Sequence, residues 1–507
     1  MSNAARARNI AKNTVMLYVR MIFLMLIGLY TSRVVLSALG ISDYGIYNAV
    51  GGFVAMFAVI SGALSGAISR FLTFELGSGA DETRLKAIFS SSQAIQLIIA
   101  AVITALALLL GPWFMAHKMS IPPERLEAAR IVLYMSILTF DINLISVPWN
   151  AAIIAREKMK AFAWIGIFEG IAKLGVALLL ARAGSDRLVL YAVLMCAVAL
   201  TVRLVYGVYC RKNFPECAAG PRWNGPLTRK MFTFAGWNFI GVSSGVLRDH
   251  GGNILLNMFF GPAVNAARGL AVIVSGAVGG FVNNFMTALN PQITKSYAAG
   301  ERDYLMTLLF KGSKFSFYLL LLLGLPVLMN TPFLMDVWQK TVPMHTVLFV
   351  QLMLLFVMSE SLSNPLVTVS LATGDIKRYQ LTIGGIQLLN LPVSYVLLKF
   401  FDAPVWTVPA VALVISQLAF FARLILLRGM VGLDARLFLR KVYANVLVVS
   451  AVSACLPLLV QHLLPPGWAG CLLSCAICVL WSGAVIFLLG FNAHEKSLVL
   501  DKIRRRK

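Results

Sequence analysis

Three adjacent ionisable residues, Arg248-Asp249-His250, interrupt an apolar stretch of this 507-residue chain. A charge in hydrocarbon costs about 3 kcal/mol or more unless it is hydrated or paired, so each one requires an account. A polar stripe runs through this triplet at helical spacing: Asn238, Gly245, Asp249, Asn253 and Asn257. Such a stripe must face protein or a watery cavity, because lipid offers its groups no partners. Two readings stay open here. The stripe lines a cavity, or it is an interhelical hydrogen-bond seam in which Arg248 and Asp249 pair elsewhere.

The next apolar block carries a similar stripe: Asn265, Arg268, Ser275, Gly279, Asn283, Thr287 and Asn290. Near the N-terminus the stripe is made of small residues: Asn48, Gly52, Ala55, Gly62, Gly66 and Ser69. Close helix packing and cavity lining both explain that one. Arg20 and Arg33 stand thirteen residues apart, which puts them on roughly opposite faces of one helix. Arg33 is the better placed of the two for a lumen, and Arg20 can snorkel. Glu169 and Lys173 have i, i+4 spacing in the favourable order, which suits a neutral structural pair as well as ion coupling. Asp141, Arg203 and Glu360 are solitary charges in apolar surroundings, open to ion-coupling or gating roles.

Arginine and lysine dominate this intramembrane set: Arg20, Arg33, Arg130, Lys173, Arg203, Arg248 and Arg268. A guanidinium stays charged when desolvated and binds phosphate bidentately, so the excess points to an anionic ligand. A drug-cation antiporter calls for the opposite balance. The candidate binding residues are Arg33, Arg248, Arg268, Asn48, Asn253 and Asn283. The candidate coupling or gating groups are Asp249, His250, Glu169, Lys173 and Asp141.

These residues must be positioned by membrane helices. The chain is 59% hydrophobic and 13% charged, against roughly a quarter charged in soluble domains. Its apolar residues form blocks of about twenty, the length that crosses the hydrocarbon core. Fourteen spans are expected: 12–36, 44–69, 88–111, 126–150, 161–182, 187–210, 231–259, 262–290, 310–330, 344–371, 381–400, 404–427, 440–463 and 467–490. The net charge of +23 does not indicate nucleic acid, because the cations sit in the connections between blocks. With both termini inside, one set of connections holds Arg70, Arg84, Lys86, Arg156, Lys158, Lys160, Arg211, Lys212, Arg222, Arg229 and Lys230. Later it holds Lys295, Arg302, Lys311, Lys314, Lys377, Arg378, Arg423, Arg428, Arg436, Arg440 and Lys441, with Lys496 and Lys502 near the end. The opposite set holds only Lys118, Arg125, Arg182, Arg187, Lys340 and Lys399. A basic tail ends in Arg504-Arg505-Arg506-Lys507. The bias is about five to one, and it orients the chain with cytoplasmic termini.

An internal repeat appears at a shift of about 221 residues. Gly40 meets Gly261, Gly79 meets Gly300, and Ser92 meets Ser313. Six helices, an even number, fit in that interval, so the halves run in the same direction. The expected fold class is an all-α polytopic membrane protein of about 14 transmembrane helices. Two parallel six-helix lobes surround a central cavity, and two C-terminal helices are appended. The expected divisions are 1–215, 216–430 and 431–507. Seven cysteines form no framework, and Cys475 and Cys478 lie inside an apolar helix without metal-ligand neighbours. No nucleotide-binding, metalloprotease or serine-hydrolase pattern occurs, so no enzymatic activity, metal or cofactor is expected.

The stretch LYTSRVVLSALGISDYGIYNAVGG, Leu29 to Gly52, resembles the first repeat signature of the polysaccharide-exporter (Wzx-like) family. Its Arg33, Leu39-Gly40 and Asp43-Tyr44-Gly45 carry that likeness. ISRFLTFELG and PWNAAIIAREKM are similar to the same family's sequences. The resemblance covers essentially the whole chain. It implies the multidrug/oligosaccharidyl-lipid/polysaccharide (MOP) exporter superfamily and a flippase for undecaprenyl-diphosphate-linked oligosaccharide in the bacterial inner membrane. It further implies alternating access, a coupling proton or sodium ion or the membrane potential, and service to O-antigen, capsule or exopolysaccharide assembly alongside other assembly proteins. A multidrug antiporter of the same superfamily is the first alternative, and a saccharide polymerase or ligase the second.

Overall fold

The computed structural model describes residues 3–79, 81–118, 121–182, 184, 186–338, 342–493 and 495–497. Lys340, Lys502 and the terminal Arg504-Arg505-Arg506-Lys507 run lie outside the described residues. The described residues contain no strand. In hydrocarbon a backbone must satisfy its own hydrogen bonds, and a long apolar block does so as a helix.

Internal packing divides the chain into two units, Met1–Val242 with Thr294–Gly300, and Ser243–Ile293 with Glu301–Lys507. The first unit contains α1 (Asn3–Ala55), α2 (Ala58–Gly77), α3 (Glu82–Lys118), α4 (Leu126–Ala155), α5 (Met159–Arg182) and α6 (Arg187–Asn213). Two long helices, α7 (Gly225–Phe260) and α8 (Pro262–Ala298), begin in one unit and end in the other. The second unit continues with α9 (Arg302–Trp338), α10 (Thr346–Ser361), α11 (Asn364–Thr373), α12 (Lys377–Leu388), α13 (Asn390–Phe400) and α14 (Thr407–Val431). The short α15 (Ala435–Phe438) leads through a π-helical turn, Leu439–Tyr443, into α16 (Ala444–Val460), and α17 (Trp468–Val485) follows.

Among the described residues, twelve helices are long and apolar enough to cross a membrane, or up to thirteen if α10 and α11, bent by 42°, form one span. The 36-residue α7 is longer than most of these, but its polar stripe keeps it out of that set. The helices also outrun the apolar blocks. Lys295, Lys311, Lys314 and Arg423, expected in connections, all lie inside helices. The connection expected near 291–309 shrinks to the three residues between α8 and α9. Charged residues near a helix end keep helical backbone when their side chains find partners or snorkel.

The repeat has a backbone counterpart. Gly40 and Gly261 take φ of 77° and 81°, and Gly79 and Gly300 take 71° and 72°. All four occupy the left-handed region that only glycine adopts without strain. Gly40 therefore breaks α1 into two legs, as Gly261 separates α7 from α8. Elsewhere glycine permits close packing. A methyl group at Gly77 would fall 2.6 Å from Lys295 Cα, and one at Gly170 would fall 2.5 Å from the Leu24 side chain.

Candidate functional site

The second unit brings four of the expected site residues together. Asp249 and Asn253 are i, i+4 neighbours on α7 and share a face. The turn at Gly261 folds α8 back, so Arg268, seven residues later, reaches that face. Its Nη1 donates to the Asp249 main-chain carbonyl at 2.9 Å and to Asn253 Oδ1. Arg268 is only 7% exposed, and Gly252 makes room for it: a methyl group there would lie 3.4 Å from Nη2. Arg248 holds the Asp249 carboxylate, donating from Nε to Oδ1 at 3.0 Å and from Nη2 to Oδ2 at 3.4 Å. The Arg248 guanidinium also lies 4.7 Å from the Phe356 ring centroid.

Both guanidiniums thus address one residue, Arg248 through its carboxylate and Arg268 through its backbone. Among the described residues Arg268 is bonded by neutral acceptors alone, so the cluster keeps one cation in excess. The Asp249 side chain is 60% exposed, and His250 is exposed without a side-chain partner among the described residues. The two guanidiniums are less open, Arg248 with a side chain 16% exposed and Arg268 buried, so the Asp249 carboxylate is the charged group that faces outward. A phosphate oxygen would compete with Asp249 for Arg248, which is the exchange a releasable binding site needs.

The remaining candidates stand elsewhere. Asn283 is exposed on α8, fifteen residues past Arg268, which is about 22 Å along a straight helix. Arg33 and Asn48 belong to the first unit, on either side of Gly40. Arg33 is exposed without a partner among the described residues, and Asn48 Nδ2 donates to the Tyr44 carbonyl at 2.9 Å. Lys173 Nζ lies 2.6 Å from Glu169 Oε1, and both side chains are more than a third exposed. Asp141 on α4 accepts from Thr104 Oγ1 of α3 at 2.5 Å through Oδ2, while its buried Oδ1 has no hydrogen-bond partner.

Several charges find partners that the sequence does not disclose. Arg423, buried in α14, donates from Nη1 to Ser363 Oγ at 2.8 Å and from Nε to the Tyr379 hydroxyl at 3.2 Å. Glu360 lies 3.9 Å from it, so neither residue is solitary. Ser363 sits at the break between α10 and α11, and Arg423 braces that bend. In the first unit, Arg203 and Arg211 lie 4.6 and 5.6 Å from the ring of buried Trp149. Arg125 bridges Asp43 and Asp186, with Nη1 2.9 Å from Asp186 Oδ2. Excess unpaired charge on neighbouring spans was the available signal: an isolated Glu360 demands a cation at membrane depth.

No family model matches the sequence, and no curated protein matches it either. Solved structures do match. A multidrug resistance MATE-family transporter of the MOP superfamily, in an outward-facing conformation, superposes with a TM-score of 0.72 at 12% identity, covering 84% of this chain and 96% of that one. The chain has the fold of MOP-superfamily transporters. A MOP-superfamily transporter from Pyrococcus furiosus, described as having a binding pocket of reversed polarity that suggests a different function, gives 0.70 at 11% identity over 83% and 96% of the two chains. The MATE transporter ClbM in complex with Rb+ gives 0.63 at 14% identity over 84% and 96%. Within this fold, the Arg248–Arg268 cluster joins two guanidiniums and an exposed carboxylate on a helix pair turned at Gly261.

Proposed function

We propose that the chain is a transporter of the bacterial inner membrane that flips undecaprenyl-diphosphate-linked oligosaccharide by alternating access. The observation that carries this reading is Arg268, buried on neutral acceptors beside a half-buried Arg248 whose partner, the Asp249 carboxylate, is exposed. A diphosphate supplies the anion that such a cluster lacks, and Arg248 exchanges Asp249 for a phosphate oxygen. Arg33 offers a second unpaired guanidinium, and Asn48, Asn253 and Asn283 supply neutral hydrogen bonds suited to sugar hydroxyls. The saccharide crosses through protein while the prenyl chain stays in lipid. Both termini lie in the cytoplasm, in keeping with the charge bias.

A proton, a sodium ion or the membrane potential drives the cycle. Asp141 has the strongest geometry for ion coupling, with one carboxylate oxygen held by Thr104 and the other unsatisfied. Asp249, His250 and the Glu169–Lys173 pair are the further coupling candidates. The cargo implies enzymes that assemble the lipid-linked unit on one side and polymerise it on the other.

Depletion followed by lipid analysis tests the reading. Build-up of an undecaprenyl-linked oligosaccharide on the cytoplasmic side is expected. Cation efflux from loaded vesicles without such build-up would favour the multidrug antiporter, a reading to which the exposed Asp249 carboxylate lends itself. Saccharide chain growth by the purified protein would favour an enzyme.

A further inference from the structure

A cavity of about 610 Å³ opens in the second unit beside α9, the π-helical turn, Asn492 and Glu495. Four cations line it: Lys311 and Lys314 from α9, and Arg440 and Lys441 from the turn. Among the described residues only one of them is neutralised. Lys314 Nζ lies 3.2 Å from Glu495 Oε2, and both side chains are 6% exposed, so this pair is part of the wall. Lys311, Arg440 and Lys441 make no ion pair among the described residues. The extra residue in a π-turn breaks the helical register, and Arg440 and Lys441 stand side by side at that break. Phe310 and Val442 give the cavity an apolar lining, and Phe310 is fixed by Phe438 at a centroid distance of 5.1 Å. The α16 helix leading away from the cavity is one of the spanning helices.

The repeat supplies an internal control. Shifted by 221 residues, the same elements of the first unit, α3 and residues 218–224, enclose a cavity of about 620 Å³. Position 90 is a serine where 311 is lysine, and positions 219 and 220 are alanine and glycine where 440 and 441 are cations. Its Lys86 is held by Glu82 at 2.7 Å, which leaves Arg222 as the lining cation without a carboxylate partner among the described residues. The fold makes the space twice, with three unpaired lining cations in the second unit against one in the first. Packing alone does not account for that difference.

We propose that the second-unit cavity binds the phosphate of an anionic glycerophospholipid headgroup, with Lys311, Arg440 and Lys441 as its cationic partners. The mixture of unpaired cations and apolar lining, next to a spanning helix, favours a lipid over a soluble phosphate. The site is separate from the Arg248–Arg268 cluster, and the inference stands whatever the cargo is.

The test is native mass spectrometry of the purified full-length protein with phosphatidylglycerol and phosphatidylethanolamine. The protein is expected to retain phosphatidylglycerol selectively. Arg440→Gln with Lys441→Gln, both exposed and tolerant of change, should weaken that preference about fivefold per cation removed. Adding Lys311→Gln should abolish it, whereas Arg222→Gln in the other cavity should leave it unchanged. An unaltered preference in the double variant would overturn the site. Displacement of the lipid by millimolar inorganic phosphate would overturn the lipid as its occupant.

Discussion

The chain turns twice on equivalent glycines, Gly40 in the first unit and Gly261 in the second, and the two surroundings differ in charge. Beyond Gly40, Asp43 is bound by Arg125, which also holds Asp186. Arg187 donates to the Ala38 carbonyl at 3.0 Å, just ahead of the turn. Tyr47 packs edge-on against Tyr191 at 4.7 Å. Beyond Gly261, the residue equivalent to Tyr47 is Arg268, bonded by Asn253 and a main-chain carbonyl. One turn is a closed ionic clasp with matched charges, and the other keeps a cation in surplus. The same backbone device thus serves as a brace in one unit and presents charge in the other. Matched pairs hold structure, and the unmatched guanidinium is the group a ligand can complete.

That contrast can be broken in several ways. The largest effect is expected at Arg268. Arg268→Ala, with expression preserved, should lower transport more than about a hundredfold, because the group invoked for the transported anion is gone. Arg248→Ala should act in the same direction, and unchanged transport in both variants would remove the site. Next in size is Arg423→Ala, which leaves Glu360 without its cation at depth. A loss of about 3 kcal/mol of stability is expected, read as an earlier thermal unfolding midpoint in detergent. Unaltered unfolding would show that the bend at Ser363 does not depend on this brace.

Arg125→Ala should cost less, about 1 kcal/mol, since its side chain and that of Asp186 are partly exposed. It should lower stability while transport by the surviving folded protein persists. Transport lost with stability intact would erase the distinction between brace and site. The smallest effect belongs to Glu169 and Lys173. Replacing both with Gln should change stability by less than about 1 kcal/mol, because the pair is well exposed. A lost dependence of transport on the proton or sodium gradient would move this pair from structure to coupling.

Much of the fold is legible in the sequence for a simple reason. A spanning helix needs about twenty apolar residues in a row, and such blocks can be counted directly. The repeat is legible because Gly40, Gly79, Gly261 and Gly300 occupy conformations that other residues resist. The polar stripe on α7 places Asp249 and Asn253 on one face, and the structure does put both beside Arg268. Partners from distant elements are harder to read. Arg423 looks like a connection charge because it falls near the end of an apolar block, yet α14 continues to Val431 and buries it. Glu495 follows the last span by a few residues and gives no hint that Lys314, far earlier in the chain, will meet it. Spacing fixes a face within one helix, but it does not say which helix comes to lie against that face.

The central claim is that Arg268 supplies the charge on which a lipid diphosphate is carried. It is tested most directly in proteoliposomes loaded with undecaprenyl-diphosphate oligosaccharide, by comparing flipping in the wild type, Arg268→Ala and Arg268→Lys. Flipping by the wild type, loss with alanine and partial recovery with lysine is the predicted result. Equal flipping by all three proteins would contradict it.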